Sequence, residues 1–578
     1  MLVSSGGLVF DALSQLRTGK SAPKVRSPFR SNAYSLLPAW ITTGLLALLL
    51  SGCGGSSSPP GNIIVQQVSV SVSPVTASVA IGQTQQFLAT VTGTTNTAVT
   101  WEVNGTVGGS SAVGAISTTG LYTAPAAVPS NPTVSVTATS VADTSKSGAA
   151  AVTITTASSS GGNTVPAAYF GLHLSGNILL PSVQNPTPWP TMSFGSLRIW
   201  DDGNSWQDVE PKTAGVYDWT KVDELLQLAG QHGVTDIMYT MAKTPTWASS
   251  NPNDQSCVNP SSAAGSCDPP SDVDSGDQLW KSFVTALVNE SLADESKYGA
   301  KIKYYEVWNE PDIPAEWTGT MSQLATMASD ARAVIKSIDP SAQVATPPPV
   351  GPGTDCSVPS ITCFFSKYFA PPVNGGQSAD VVTFHGYPPA VLDPSPESIA
   401  TVASTLVSIL TTNGLISKPL FDTEASWATD RDITNSDEQA AFVASFYLLH
   451  WPRVSRLYWY AYDNQSHGTL YDLTTQQLNA GGVAYQQVYN WMVGATVSAC
   501  SASNGSVYTC AITRNNGAYQ ALAVWDSSQS CAVSPCTTSN YTVPSGYVNY
   551  IDLSPNKTLV SSGQTIAISA KPILLQNQ

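Results

Sequence analysis

Two segments of this 578-residue chain carry residue types that could do acid–base and nucleophilic work. One is Lys303-Tyr-Tyr-Glu-Val-Trp-Asn-Glu-Pro311; the other is Pro419-Leu-Phe-Asp-Thr-Glu424. Each reads as a short apolar strand running out into a glutamate, Glu310 in the first and Glu424 in the second. Two carboxyl groups set across a cleft can divide the labour that cleavage of a glycosidic bond demands. One, protonated, helps the leaving oxygen depart, and the other, ionised, attacks or stabilises the anomeric carbon. The two environments must then hold the two pKa values apart. Glu306 shares a strand face with Glu310 and is expected deeper, and Glu210 is a further nearby carboxylate. Other chemistries find little support. No Gly-x-Ser-x-Gly elbow, His-Glu-x-x-His helix or nucleotide-binding loop occurs, and the five histidines are scattered, so neither a cofactor nor a metal is expected.

The elements that must position these groups follow from the apolar pattern. Candidate strands fall at 168–174, 196–200, 236–239, 302–308, 343–346, 381–385, 420–423 and 457–460. Helical stretches lie between them at 222–232, 278–298, 321–338, 397–412 and 438–450, the last opened by a capping box, Ser436-Asp-Glu-Gln439. Eight strands alternating with helices predict an α/β fold, a (β/α)8 barrel over 166–492, with its reacting groups at the carboxyl ends of the strands. An open doubly wound sheet would call for a glycine-rich phosphate loop after an early strand, and none occurs. From 493 to 578 short strands replace the helices and predict a C-terminal β-sandwich domain. Residues 65–157 show period-2 alternation between Gly, Asn and Pro turns, which predicts an N-terminal β-sandwich. Ser/Gly-rich linkers at 54–64 and 158–165 separate the parts.

The first 53 residues suggest export. Lys20, Lys24, Arg26 and Arg30 precede an uncharged apolar run, Leu36 to Leu50, too short to span a bilayer comfortably. Leu50-Ser51-Gly52-Cys53 follows and resembles the bacterial lipobox. That resemblance implies lipidation of Cys53 and a protein held on a bacterial membrane, facing the periplasm or the cell surface. The other eight of the nine cysteines form four close pairs: Cys257 with Cys267, Cys356 with Cys363, Cys500 with Cys510, and Cys531 with Cys536. An even count in an exported chain favours disulfides, and local pairing is the expectation, although eight cysteines permit many connectivities. The formal net charge of −15 disfavours nucleic acid as a partner and leaves a neutral polysaccharide compatible.

Trp308-Asn309-Glu310-Pro311 after strand four, with Glu424 after strand seven, resembles the clan of retaining (β/α)8 glycoside hydrolases. Phe170-Gly-Leu-His173, Leu197-Arg-Ile-Trp200 and Val382-Thr-Phe-His-Gly-Tyr387 lean toward family 39-like enzymes. By that resemblance Glu310 is the acid/base and Glu424 the nucleophile. Asn309 would meet the sugar 2-hydroxyl, Arg198 would keep Glu424 ionised, and Tyr387 would donate to Glu424. His173 and His385 would contact the sugar or orient the acid/base. Trp459 would form an apolar platform under the ring, with Trp200 also a candidate for sugar contact. The family commonly has a Trp soon after the nucleophile; here Trp427 stands three residues on, and its role stays open. Such enzymes act on xylosides, iduronides, arabinose-containing oligosaccharides and bacterial exopolysaccharides, while related family 5-like barrels act on cellulose and mannans. The N-terminal module, through Trp101 and Thr119-Gly-Leu-Tyr-Thr-Ala-Pro125, resembles bacterial Ig-like domains of type 2.

Each residue also has a plainer reading. Arg198 would serve a surface or interdomain salt bridge, His385 and His173 would be satisfied strand-end histidines, and Trp200, Trp206, Trp247 and Trp317 would be packing. A non-catalytic surface lipoprotein that binds glycan is the competing class of function. The 248–276 insert, with Cys257 and Cys267, is expected to wall the site after strand three.

Overall fold

The computed structural model describes residues 67–578, apart from 81–83, 126–128, 130, 156–163, 175–186, 202, 260–261, 352, 354–355, 357, 390–394, 428–432, 466–467 and 504. The export segment with Cys53, the first linker and most of the second lie outside the described residues. Two compact units divide the chain, with the boundary at 160/161.

In the larger unit eight parallel strands form a barrel: Phe170–His173, Ser196–Ile199, Asp236–Met241, Tyr304–Val307, Gln343–Ala345, Val382–His385, Leu420–Ala425 and Arg456–Trp459. They lie side by side in chain order, and the eighth pairs with the first in parallel. Single bridges from Ala345 to Val381 and from Val350 to His385 close the remaining seam between strands five and six. Nearly every strand residue is buried, because one face fills the barrel and the other meets the helices. Alternation sorts the two faces. Met238, Tyr304, Ala345, Val381, Phe421 and Tyr458 fill the floor of the barrel. Their neighbours Ile237, Tyr305, Val344, Val382, Leu420, Leu457 and Trp459 join the core beneath the helices.

The helices follow the apolar stripes: Thr220–Gln231, Gln278–Tyr298, Met321–Ile338, Pro396–Thr412 and Ser436–His450, joined by Ile361–Tyr368 and Ala480–Met492. The start of Ser436–His450 differs from expectation by one residue. Asn435, not Ser436, is the N-cap, and its side chain accepts the amides of Asp437 and Glu438 at 2.9 and 3.2 Å. Asparagine caps as well as serine, so the local physics is that of the predicted start.

The C-terminal strands build a seven-stranded antiparallel sheet beside a two-stranded one, with Val524, Val543, Ile566, Ile568 and Leu575 between them. This domain is fastened to the barrel by polar contacts. Arg514 donates to the carbonyls of Asn490, Trp491 and Val493 at 2.8, 2.9 and 3.1 Å, covering the open end of the Ala480–Met492 helix. Trp451 donates to the Val497 carbonyl at 3.1 Å. All four cysteine pairs join as local disulfides, Cys257–Cys267, Cys356–Cys363, Cys500–Cys510 and Cys531–Cys536.

The smaller unit is a β-sandwich over Val72, Phe87, Trp101, Val103, Tyr122, Val136 and Val152. Its largest sheet mixes one parallel pairing, Thr76–Ala80 on Ser147–Thr155, with antiparallel ones. The two sequence features singled out here pack on each other. Gly120, at φ 83°, lies so close to the Trp101 ring that a Cβ would come within 2.9 Å of it.

Candidate active site

Glu310 and Glu424 reach the barrel mouth through two breaks in regular strand geometry. In the seventh strand, counting by twos from inward Phe421 would turn Glu424 outward. A register shift intervenes: Phe384 pairs with Asp422, but the next residue, His385, pairs with Glu424. Thr423 is thus the extra residue of a bulge, and the bulge turns Glu424 into the mouth beside His385. The displaced neighbour Asp422 points the other way, its Oδ2 3.9 Å from His450 Nε2 in the helix layer. Gly386 donates to Asp422 Oδ1 at 2.9 Å, and a Cβ there would lie 2.0 Å from Asp422 Oδ2, so only glycine fits.

After the fourth strand Trp308 and Glu310 both take left-handed backbone, with φ of 66° and 42°. Such a conformation costs of order 1–3 kcal/mol for a non-glycine residue and must be held by its surroundings. Here the Trp308 indole donates to the Glu316 carbonyl at 2.7 Å and packs edge-on against Trp317. The Glu310 amide donates to the Pro348 carbonyl at 3.1 Å.

Arg198, on the second strand and fully buried, organises the centre. Its Nε and Nη2 donate to Glu306 Oε2 at 3.0 and 2.9 Å, and Thr240 adds a third bond to that oxygen at 2.7 Å. Anchored from below, the guanidinium offers Nη1 to Glu424 Oε2 at 2.7 Å and Nη2 to Asn309 Oδ1 at 3.0 Å. Burial opposes its charge, but Glu306 and Glu424 overcome that and raise its pKa. Removing one member of such a buried pair costs about 3–5 kcal/mol, because the other charge is left unpaired. A surface or interdomain salt bridge, the plainer reading of Arg198, is not what forms: its partners Glu306 and Glu424 lie inside the mouth.

Tyr387 donates to Glu424 Oε1 at 2.8 Å, so both oxygens of Glu424 have a donor. Burial, then Glu424, pushes the Tyr387 pKa well up and keeps its proton in place. His385 stands between the two glutamates, with Nδ1 2.8 Å from Glu310 Oε1 and 3.7 Å from Glu424 Oε2. Burial lowers its pKa to about 4, so the ring is neutral at pH 7. Nε2 lies 3.4 Å from Arg198 Nη2, which can only donate. The network accordingly assigns the ring proton to Nδ1, where it donates to Glu310 Oε1 and leaves Oε2 to carry the proton of the acid.

Burial raises the pKa of both glutamates. Glu310 reaches about 7; Arg198 opposes the rise, and Asp201 and Glu306 add to it. At Glu424 burial is countered by His385, Arg198 and the Tyr387 hydroxyl, three of the neighbours that touch it. The better-supplied carboxylate is Glu424 and the better acid is Glu310. One oxygen of each lies within 4.8 Å of the other.

His173 and Trp200 border this centre. His173 packs at 4.7 Å against Tyr460, and burial lowers its pKa well below the usual value. Trp200 has Lys243 Nζ 5.0 Å and Arg198 Cζ 6.0 Å from its ring. Trp459 requires a correction. It is fully buried in the helix layer against Phe442, Phe446 and Trp427, with its indole bonded to the Gly468 carbonyl. Tyr458 points inward, so Trp459 must point outward, and no platform can form there. The aromatic residue that reaches the mouth from this strand is Tyr460, which donates to Asp201 Oδ2 at 2.9 Å; parity counted from Tyr458 is the signal for it. Trp427 is likewise core packing, edge-on to Phe442 and Trp459. Trp206 stacks on Phe283 and bonds Glu210.

Two charged residues near the mouth have no signature in the sequence. Lys243 follows the third strand at φ 66°. Glu316 lies in the loop after Glu310, buried, and burial lifts its pKa to about 8 against the pull of Lys243. The disulfide-closed loop after strand three docks on that same loop: the Thr318 amide donates to the Cys267 carbonyl at 3.0 Å.

No family model matches the chain. No curated protein matches it. Among solved structures it is similar to a glucosidase from Croceicoccus marinus, at 14% identity over 72% of this chain and 97% of that one, with a TM-score of 0.47. It is also similar to a glycoside hydrolase family 30 subfamily 8 xylanase from Clostridium acetobutylicum, at 14% identity over 72% and 96%, TM-score 0.44. An α-L-arabinofuranosidase from Thermotoga maritima gives 10% identity over 72% and 98%, TM-score 0.44. Chemistry at the mouth is read from its side chains.

Proposed function

We propose that this chain is a retaining glycoside hydrolase in which Glu424 is the nucleophile and Glu310 the acid/base. The observation that carries this reading is the close pair itself, with carboxyl oxygens within 4.8 Å of each other. Retaining enzymes hold the two groups about 5–5.5 Å apart, and inverting ones about 6.5–9.5 Å apart to admit a water.

Two displacements follow. In the first, Glu424 attacks the anomeric carbon, the bond to the leaving oxygen breaks, and the Glu310 proton passes to that oxygen. In the second, Glu310, now a carboxylate, takes a proton from water as the water oxygen bonds to the anomeric carbon and Glu424 is released. With Glu310 protonated and His385 neutral, Glu306 and Glu424 outnumber Arg198 by one negative charge. That charge faces a transition state of oxocarbenium character and stabilises it in a water-poor site. Asn309, held by Arg198, would meet the sugar 2-hydroxyl. His173, Trp200 and Tyr460 would border the sugar, and the Cys257–Cys267 loop would narrow access. The family 39-like likeness and lipidation of Cys53, which would set the enzyme to work outside the cell, rest on sequence alone.

Screening aryl glycosides and plant and bacterial polysaccharides tests the reading. Turnover by the wild type is expected on at least one, and its absence from a folded Glu310→Gln, Glu424→Ala double variant. Binding of glycans without turnover on any of them would instead favour a non-catalytic glycan-binding protein.

A further inference from the structure

Away from the mouth, two neighbouring helices of the barrel wall bring three carboxyl groups together. Asp223 lies in the first turn of Thr220–Gln231, and Glu290 and Asp294 lie on Gln278–Tyr298. One oxygen from each falls within 4.8 Å of the other two. Glu290 and Asp294 are four residues apart, so they share a face and repel.

Asp294 is only 1% exposed, and its Oδ2, like Asp223 Oδ1, is buried with no hydrogen-bond partner among the described residues. Lys297 favours the charged form of all three carboxylates but lies 4.4 Å over the Tyr298 ring, and among the described residues no ion pair reaches any of the three acids. Asp218 adds further negative charge beside Asp223.

We propose that Asp223, Glu290 and Asp294 form a binding site for a hard divalent cation, Ca2+ in chemical class, that clamps the two helices together. All three donors are oxygens, which suits Ca2+ or Mg2+ over softer metals. Oxygens on opposite sides of a Ca2+ ion, each at 2.3–2.6 Å, lie up to about 5 Å apart, so the observed spacing admits one ion bound to all three. Asp223 and Glu290 are only half-buried, so water can complete the shell from the outer side. Ca2+ tolerates such an irregular shell, whereas Mg2+ demands a near-octahedral one.

The test is thermal unfolding of the full chain stripped with a chelator and titrated with CaCl2 alone, with MgCl2 in parallel. At a hundredfold excess over the dissociation constant, an ion that binds only the folded state should raise the midpoint by about 3 °C. The rise should reverse with chelator and be lost in Asp294→Asn and in Glu290→Gln. Glu290 is half-buried, so its variant keeps the site testable if Asp294→Asn folds poorly, and calorimetric titration of Ca2+ into the wild type gives a direct readout. No Ca2+-dependent rise, or an equal rise in Glu290→Gln, overturns the proposal. Stabilisation by Asp294→Asn without any cation response in the wild type also overturns it, and identifies a proton shared between Asp223 and Asp294.

Discussion

Glu424→Ala should lose on the order of 10⁵–10⁶ in kcat, as hydrolases do when the attacking group is removed, while the protein stays folded. Truncation removes the proposed attacking group and leaves Arg198 Nη1 and the Tyr387 hydroxyl facing the space it vacated. Those donors mark a small anion site. Azide should therefore enter it, attack from the same side as the missing carboxylate, and restore turnover on an activated aryl glycoside. The product should be a glycosyl azide of inverted configuration, because one displacement has replaced two. Rescue would separate loss of the nucleophile from loss of the fold. A Glu424→Ala variant with wild-type turnover would remove Glu424 from the mechanism.

Glu310→Gln should lower kcat/KM by about 10²–10⁴ on substrates with a poor leaving group, the usual contribution of a positioned acid. On a dinitrophenyl glycoside, which needs no proton to leave, the first step should survive. A burst of phenolate should then precede a slow second step, in which water lacks its base. The pH profile separates the two glutamates by sign. Glu310 must enter the reaction protonated, and burial sets its pKa near 7, so wild-type kcat/KM should fall as pH rises through about 7. Glu424 must be ionised, and burial raises its pKa above the ordinary carboxylate range, so activity should fall as pH drops through that value. In Glu310→Gln the upper limb should vanish and the lower one remain. An unchanged upper limb would assign the acid to another group, with Glu316 and Asp312, both raised by burial, the alternatives beside Glu310.

The barrel strands were legible because both faces of each are covered, which leaves short continuous apolar runs between polar loops. The second strand and the helix Gln278–Tyr298 could be placed almost to the residue for this reason. The resemblance carried by Trp308–Pro311 and the motifs on strands two and six implied Arg198, Asn309, His385 and Tyr387 around the two glutamates. The aim of a side chain was harder to read wherever the backbone leaves its period. Strict alternation would have pointed Glu424 into the helix layer, and only the bulge at Thr423 turns it inward. Where the period does hold, ignoring it gave the misplaced platform: Trp459 looked suitable by residue type, but parity sends it outward and brings Tyr460 to the mouth. Lys243 and Glu316 arrive on loops whose approach depends on tertiary contacts such as Thr318 with Cys267, and no local pattern announces them.

The central claim is double displacement by a close carboxyl pair, and the configuration of the first-formed product tests it most directly. Proton NMR of the wild-type enzyme acting on its best aryl glycoside should show the anomer of the substrate appearing first, with the other form growing only by mutarotation. Initial appearance of the opposite anomer would contradict the account, since it would require a single displacement by water with Glu424 acting as a base and not as the nucleophile.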